Sequence, residues 1–273
     1  MLWHSATMCH AADAHPPELP ADLRHGPPMA GGALETRDLV LTAGDGNRFA
    51  AFAAPAPSPT GAGVVIFPDI RGLFRFYEEL AMRFAEAGVD AIAFDYYGRT
   101  AGAEKRDAAF DYMAHVGRTR PETVAQDAAA AAAYLRSAEG GAVRALVTVG
   151  FCFGGRNSYL AAVRESPVAP AGVVAFYGQL GPDRQGRPGP LTFASQMCVP
   201  VLGLFGGADE SIPLHRVAEF DAELAAAGTP HDFHVYAGAP HSFFDRSMGE
   251  WAKEADDAWH RVLAFVRANT PLD

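Results

Sequence analysis

Short apolar segments of strand length recur along the chain, and stretches with helical spacing separate them. Val64–Phe67 and Ala145–Val149 are almost entirely apolar. Between them, the alanine-rich stretch Pro121–Ala138 opens with Pro-Glu, which is typical of a helix N-terminus. Strands without a polar face occur in parallel sheets that helices cover on both sides. The pattern therefore predicts one α/β domain built on a mostly parallel sheet with helices on both faces.

The spacing of apolar residues and the positions of turn residues predict the individual strands and helices. The alternation on either side of Gly44-Asp45-Gly46 predicts a hairpin of two strands. Ligands bind beyond the carboxyl ends of the strands in such sheets, so we expect the chemistry in the loops that follow them. The predicted strands are Thr36–Leu41, Arg48–Ala54, Val64–Phe67, Ala91–Phe94, Ala145–Val149, Gly172–Phe176, Val201–Phe205 and Phe233–Tyr236, and the predicted helices are Phe74–Ala87, Pro121–Ala138, Gly155–Val163, Val217–Ala227 and Trp251–Ala268.

The composition is that of a globular chain with a sizeable core. Of the 273 residues, 49% are apolar, which suits one folded domain of this length. Residues 1–34 are rich in Ala, Pro and His and show no sustained period. We therefore predict an N-terminal extension over residues 1–34, flexible or draped over the protein, and one domain over residues 35–273.

Charge and cysteine content bear on partners and compartment. The formal net charge is −10 and no basic run is present, so we expect no nucleic-acid partner. No apolar stretch approaches the ~20 residues of a membrane span, and the first residues lack the features of a signal peptide. Three cysteines fit a reducing compartment better than a disulfide framework. We therefore predict a cytoplasmic monomer or small homo-oligomer with no membrane partner. No nucleotide or metal motif is present, so we expect no metal and no cofactor.

The segment GFCFGG, residues 150–155, carries the sharpest chemical signal. It follows an apolar strand and precedes a helical stretch. This is the G-x-S-x-G strand–turn–helix motif with cysteine in place of serine. Glycines are needed because the turn brings backbone segments close together and strains the residue at its centre. Cys152 is therefore predicted to be a nucleophile at a helix N-terminus, where backbone N–H groups favour negative charge.

Two further residues complete a nucleophile, acid and base in the chain order of this motif. Asp209 follows the strand VLGLF, and His241 follows the strand FHVY. His241 is predicted to take the thiol proton, and Asp209 to hold the imidazole in one tautomer. The predicted donors to the oxyanion are the backbone N–H groups of Phe153 and of Ile70, which lies in an earlier loop. Attack on an ester or lactone would give a thioester acyl-enzyme that water hydrolyses.

Other interpretations of the same residues stay open. Cys152 could be a small buried residue, Asp209 a helix N-cap and His241 a surface loop residue. As functions, the alternatives are a thioesterase or general carboxylesterase of the same fold, a non-catalytic scaffold that binds a ligand, and a redox-sensing thiol. The ordered Cys, Asp and His favour an enzyme, because a scaffold requires none of the three.

From Glu35 onward the chain resembles the dienelactone hydrolase (carboxymethylenebutenolidase) family of the α/β-hydrolase superfamily. The resemblance rests on GFCFGG, on GGAD ending at Asp209 and on HSF beginning at His241, together with PDIRGLF and FDYYGR. It implies a single α/β-hydrolase domain and a Cys-His-Asp triad at Cys152, His241 and Asp209. It also implies hydrolysis of an unsaturated lactone to maleylacetate.

The resemblance extends to residues around the nucleophile. Family members hold the thiol in a resting state with a glutamate, and the matching position is Asp69, one methylene shorter. Asp69 could equally cap a turn. Family arginines bind the substrate carboxylate, and Arg99 matches one of them. The other would lie four residues after the histidine, where this chain has Asp245 followed by Arg246.

Further candidates for substrate binding lie close to these positions. Arg71, beside the predicted oxyanion donor, and Arg246 are candidates for holding an anionic substrate group. Tyr97 is a candidate for an aromatic pocket. Each arginine could instead be a solvated surface residue, and the ring could belong to the core. The Gly/Pro-rich segment 177–197 is long for a connection between strands, which predicts a lid or binding loop.

Overall fold

The structure is a computed structural model and describes residues 14–19, 34–245 and 249–271. Its strands are β1 (Arg37–Thr42), β2 (Arg48–Ala54), β3 (Ala62–Phe67), β4 (Asp90–Phe94), β5 (Ala145–Phe151), β6 (Gly172–Phe176), β7 (Val201–Gly206) and β8 (His231–Tyr236). Its helices are α1 (Arg75–Glu86), α2 (Gly98–Ala101), α3 (Met113–Val116), α4 (Pro121–Arg136), α5 (Phe153–Leu160), α6 (Leu214–Ala227) and α7 (Ala252–Ala268), and a 3₁₀ helix spans Pro190–Gln196.

These strands form one sheet in the order β1-β2-β4-β3-β5-β6-β7-β8. β1 pairs antiparallel with β2 in the predicted hairpin, and β2 pairs antiparallel with β4. The pairings from β4 through β3 to β8 are parallel. The predicted mostly parallel α/β sheet is therefore confirmed. Because β3 to β8 run the same way, the loops that follow them meet at one edge of the sheet.

Both faces of the central sheet are covered. Every residue of β3, β4, β5 and β6 is buried, although successive side chains along a strand point to opposite faces. The outer helices close the core from their buried sides. Phe84 of α1, for example, packs against Trp259 of α7 with ring centroids 4.8 Å apart. Each such large buried side chain contributes about 1.5–3 kcal/mol of transfer free energy.

Most helices and strands begin or end a few residues away from their predicted bounds. The largest differences are at α5, which ends at Leu160 rather than Val163, and at α6, which begins at Leu214 rather than Val217. α3 and the 3₁₀ helix were not predicted, because neither is long enough to show a clear apolar period. The 3₁₀ helix gives regular structure to part of the segment predicted as a loop.

Residues 14–19 are the described part of the predicted N-terminal extension. Leu19 is buried in the core. His15 Nδ1 lies 2.6 Å from Glu79 Oε2 on α1. This short segment therefore lies against the domain. Within the described part of the chain, none of the helices has the length and apolar character needed to cross a membrane.

Candidate active site

The turn between β5 and α5 holds Cys152 in a strained conformation. Its backbone lies at φ 52° and ψ −111°, a region that residues other than glycine rarely adopt. A methyl group on Gly150 would come within 2.2 Å of the Gly154 carbonyl oxygen, and one on Gly154 within 2.1 Å of the Phe67 carbonyl oxygen. The motif therefore needs both glycines for backbone approach. The result is a half-buried thiol at the N-terminus of α5.

Asp209 and His241 form a short hydrogen-bonded pair. His241 Nδ1 lies 2.6 Å from Asp209 Oδ2, and the aspartate is almost fully buried. Ser211 donates to the other carboxylate oxygen from its hydroxyl at 2.6 Å and from its backbone N–H at 2.9 Å. Burial raises the pKa of Asp209, but the hydrogen bonds from His241 and Ser211 outweigh it and leave that pKa below its ordinary value. The carboxylate is thus held ionised against the imidazole.

These side chains share one cavity of about 700 Å³ at the carboxyl ends of the strands. Such a volume is within the usual range for small-molecule sites. Cys152, Asp209 and His241 all line it. Other lining residues were not predicted from the sequence, because only the tertiary fold brings them near Cys152. They include Met113, Val116, Arg156, Asp183, Arg187 and Ser211.

The predicted oxyanion donors, Phe153 and Ile70, line the same cavity. Phe153 is the first residue of α5, so its N–H lies at the helix N-terminus. Two buried tyrosines hold the segment that contains Ile70: the Tyr96 hydroxyl donates to the Pro68 carbonyl at 2.7 Å, and the Tyr97 hydroxyl donates to the Ile70 carbonyl. Tyr97, predicted to line the pocket, is completely buried and contacts the loop backbone instead.

Tyr177 contacts both His241 and Asp245. Its ring centroid lies 4.9 Å from that of His241, and its hydroxyl donates to Asp245 Oδ2 at 2.7 Å. Asp245 is buried and is not among the described residues that line the cavity. The carboxylate therefore points away from a bound substrate, towards the tyrosine.

Asp69 and Arg71 stabilise the loop that holds Ile70. Asp69 is completely buried, and its Oδ1 accepts the backbone N–H of Arg71 at 2.8 Å. The Arg71 guanidinium lies 4.4 Å from the centre of the Phe74 ring, and its Nε is 3.6 Å from Asp69 Oδ2. Asp69 thus caps its own turn, the alternative that the sequence left open. Neither residue belongs to the described lining of the cavity.

The predicted substrate role of Arg99 is not supported by its position and needs correcting. Its guanidinium lies 2.6 Å from Asp45 and 2.8 Å from Asp127, and Arg99 is not among the described lining residues. Two carboxylates occupy its donors because the β1–β2 hairpin and α4 meet there. The position of Arg99 directly after the YYG run was therefore not sufficient to predict that its side chain lines the cavity. Arg246 lies outside the described residues.

Residues suited to hold a metal ion were sought as groups of three or more His, Cys, Asp or Glu side chains. Over residues 14–19, 34–245 and 249–271 no such group is present. Cys198, in this same described part of the chain, is exposed and has its Sγ 3.7 Å from the Ala162 carbonyl.

Comparison with known proteins identifies the family. The family model described as "Dienelactone hydrolase family" matches residues 49–270. A "Putative carboxymethylenebutenolidase" of Methylorubrum extorquens is 31% identical over 215 residues, covering 77% of this chain and 72% of that protein. One of the same name from Yersinia pestis is 30% identical over 223 residues, covering 80% and 83%. The crystal structure of a "Putative Dienelactone Hydrolase" from Klebsiella pneumoniae superimposes with a TM-score of 0.73 at 28% identity, covering 86% of this chain and 99% of that one.

Fold, site and matched length lead to the same assignment. The eight-stranded sheet is that of the α/β-hydrolases, and the family match takes in every residue of the Cys152, Asp209 and His241 constellation. The chain belongs to the dienelactone hydrolase family and is a hydrolase of ester or lactone substrates.

Proposed function

We propose that the protein hydrolyses esters or lactones through a thioester acyl-enzyme formed on Cys152. His241 is the general base and acid. Asp209 orients the imidazole and stabilises its charged form. The observation that carries the proposal is the arrangement of these groups. A strained cysteine at a helix N-terminus shares a cavity with a histidine whose Nδ1 is bound to a buried aspartate at 2.6 Å.

Acylation transfers the acyl group from oxygen to sulfur. His241 removes the thiol proton of Cys152, and the thiolate attacks the carbonyl carbon to form a C–S bond and a tetrahedral oxyanion. Collapse of this intermediate breaks the ester C–O bond. The leaving alkoxide takes the proton from His241, which returns to the neutral form. In a lactone the alkoxide stays attached to the acyl group.

Deacylation repeats the sequence with water as nucleophile. Neutral His241 takes one proton from water, and the hydroxide adds to the thioester carbon. The C–S bond then breaks, the carboxylic acid leaves, and the Cys152 sulfur regains the proton. The sum is ester plus water giving acid plus alcohol, so no other reactant is needed.

The oxyanion in both steps is assigned to the backbone N–H groups of Phe153 and Ile70. Support comes from their positions at the helix N-terminus and on the loop that Tyr96 and Tyr97 hold. Fixed donors stabilise developing charge without reorganisation, and losing one typically lowers the rate by about 10²–10³. The resting-state role of Asp69 and the substrate role of Arg246 stay predictions, as do a cytoplasmic location and a monomeric or small homo-oligomeric state, whereas Arg71 and Tyr97 are not among the described residues that line the cavity.

Steady-state kinetics with dienelactone and p-nitrophenyl acetate test the proposal. Purified wild-type protein should hydrolyse at least one of them, and Cys152→Ala should lower kcat by about 10³-fold or more with unchanged circular dichroism. Mass spectrometry after rapid quenching should detect an acylated wild-type chain and none in the variant. Wild-type rates in Cys152→Ala would show that another group is the nucleophile.

A further inference from the structure

One wall of the cavity is apolar and belongs to a different element from the residues of the acid–base pair. Met113 and Val116, on α3, form this wall, and the cavity continues from them to Cys152. On the side of His241, the wall is polar and includes Asp209, Glu210 and Ser211. The leaving oxygen must stay near His241 to receive its proton. The apolar residues of α3 in the same cavity are therefore available to the acyl chain.

Charged groups on the wall near α3 already have partners within the protein. Asp183 and Arg187 form an ion pair, and a second donor of Arg187 bonds to the Thr119 carbonyl at 2.6 Å. Arg156 is buried and donates to the carbonyls of Gly181, Arg187 and Pro188, as well as more distantly to that of Gln179. These groups therefore need no charge from a ligand.

The loop above the cavity is held in a fixed shape. Its turn closes through hydrogen bonds from the backbone N–H groups of Gln185 and Arg187 to Asp183 Oδ1, both at 2.9 Å. Arg156 binds carbonyls on both arms of the loop, and Arg187 connects the loop to the segment after α3. A cavity with walls fixed in this way is formed before substrate binds, which lowers the entropy cost of binding.

Met113 is an exposed apolar side chain within this cavity, with 47% of its surface accessible. Exposed apolar surface in a preformed cleft is typical of a binding site for an apolar group. We propose that the Met113–Val116 wall is a subsite for the apolar chain of an ester's acyl group. The protein would then prefer medium-length acyl esters over acetate. This inference rests on the proposed cysteine hydrolase function.

A chain-length series of p-nitrophenyl esters tests the subsite. A buried methylene is worth about a fourfold gain in binding, so kcat/KM should rise at least tenfold from acetate to hexanoate, mainly through KM. Met113→Gln keeps the length of the side chain but makes it polar. It should reduce the hexanoate-to-acetate ratio of kcat/KM at least threefold.

Leu214→Gln is the matched control. Leu214 is equally exposed, at 48%, lies on α6 and is not among the described residues that line the cavity. The hexanoate-to-acetate ratio of kcat/KM in Leu214→Gln should equal that of the wild type. A wild-type profile that is flat or falls from acetate to hexanoate, or equal ratios in both variants, would overturn the subsite. Acetate hydrolysis lost in Cys152→Ala would still support the nucleophile in that case, whereas acetate hydrolysis unchanged in Cys152→Ala would overturn the proposed function and the subsite with it.

Discussion

Asp209 is nearly inaccessible to water, so its negative charge depends on neighbouring donors. Ser211 supplies two of these, and His241 supplies a third. Because the folded-state pKa is below the ordinary value, this carboxylate adds stability above the unfolded-state pKa. That stability is lost as the pH falls through the folded-state pKa. Ser211 therefore stabilises the negative charge of Asp209 and helps to hold the Asp209–His241 pair in position.

Ser211→Ala removes the hydroxyl that donates to Asp209 and should destabilise the ionised carboxylate. We expect the free energy of unfolding at pH 7 to fall by about 1–2 kcal/mol, the usual range for a hydrogen bond to a charged group. The loss should be smaller at pH 3, because the carboxylate is then closer to protonation. Urea unfolding at both pH values measures the difference, with Ser195→Ala, at an exposed position, as the control. An equal loss at both pH values would show that the hydroxyl does not act through the charge of Asp209.

The candidate triad could be predicted at this scale because a local motif and chain order specify it. Cys152 follows from the glycines around it, and Asp209 and His241 from the strands that precede them. Arg99 was predicted incorrectly because the partners of its guanidinium, Asp45 and Asp127, come from distant parts of the chain. No local sequence pattern predicts such partners. Ser211 lies only two residues after Asp209 and could have been found from the tendency of Asp side chains to bond the backbone N–H two residues on.

At the scale of elements, the strand–turn–helix from β5 to α5 carries Cys152, the proposed nucleophile, and close backbone packing fixes its shape. Gly154 is the point where α5 approaches the end of β3, since a side chain there would meet the carbonyl oxygens of Phe67 and Pro68. Backbone atoms cannot move aside as a side chain can. The sequence predicted a need for glycine here, but not that the contact would be with the loop that holds Ile70.

Gly154→Ala should therefore displace α5 from the Ile70 loop. We expect a loss of about 1–3 kcal/mol in unfolding free energy, as for overpacked cores, together with a fall in kcat of at least tenfold. Gly181→Ala is the control, because a methyl group there meets no atom within 4 Å. Thermal unfolding and p-nitrophenyl ester kinetics test both variants. Wild-type stability and kcat in Gly154→Ala would mean that the helix and loop can separate at no cost.

The loop after β6 depends on one buried arginine. Arg156→Met would leave the carbonyls of Gly181, Arg187 and Pro188 without their donor, and a hydrogen bond to a charged group contributes about 1.5–3 kcal/mol. We expect local opening of the loop, with faster tryptic cleavage after Arg184. Leu191 N–H bonds to the Leu180 carbonyl at the base of the loop, so cleavage should stay confined to it. Arg216→Met, on the exposed side of α6, should leave the cleavage rate unchanged.

At the scale of the whole molecule, one sheet and one core unite the described residues from 34 onward. The alternation of strands and helices was enough to predict this architecture, because covered parallel strands need apolar residues on both faces. We propose that residues 35–273 form a single domain and residues 1–34 an extension. The single sheet supports one domain, and the packing of Leu19 into the core supports an extension that is draped over it. The contact of residues 14–19 with α1 had no signal in the sequence, since it depends on surfaces that form only after folding.

A network of charged side chains, in which Asp127 is buried, joins the first hairpin to α4. Asp127 accepts hydrogen bonds from Asn47 at 2.9 Å and from Arg99 at 2.8 Å, and Arg99 also binds Asp45. Burial raises the pKa of Asp127 to about 6, because it outweighs the opposing effects of Asn47 and Arg99. A raised folded-state pKa means that the stability from this group is fully present below its ordinary value of 3.8 and is lost as the pH rises through about 6.

Asp127→Asn should remove this pH dependence, because asparagine does not ionise. Between pH 4 and pH 7 the unfolding free energy of the variant should rise relative to that of the wild type, by on the order of 2–3 kcal/mol. Asp45→Asn is the contrasting variant: hydrogen bonding to Arg99 helps to hold the pKa of Asp45 below its ordinary value, so no such rise is expected over this range. Urea unfolding at pH 4, 5, 6 and 7 gives the curves for all three proteins. Parallel curves for wild type and Asp127→Asn would mean that Asp127 stays ionised throughout, with Arg99 stabilising its charge more than burial opposes it.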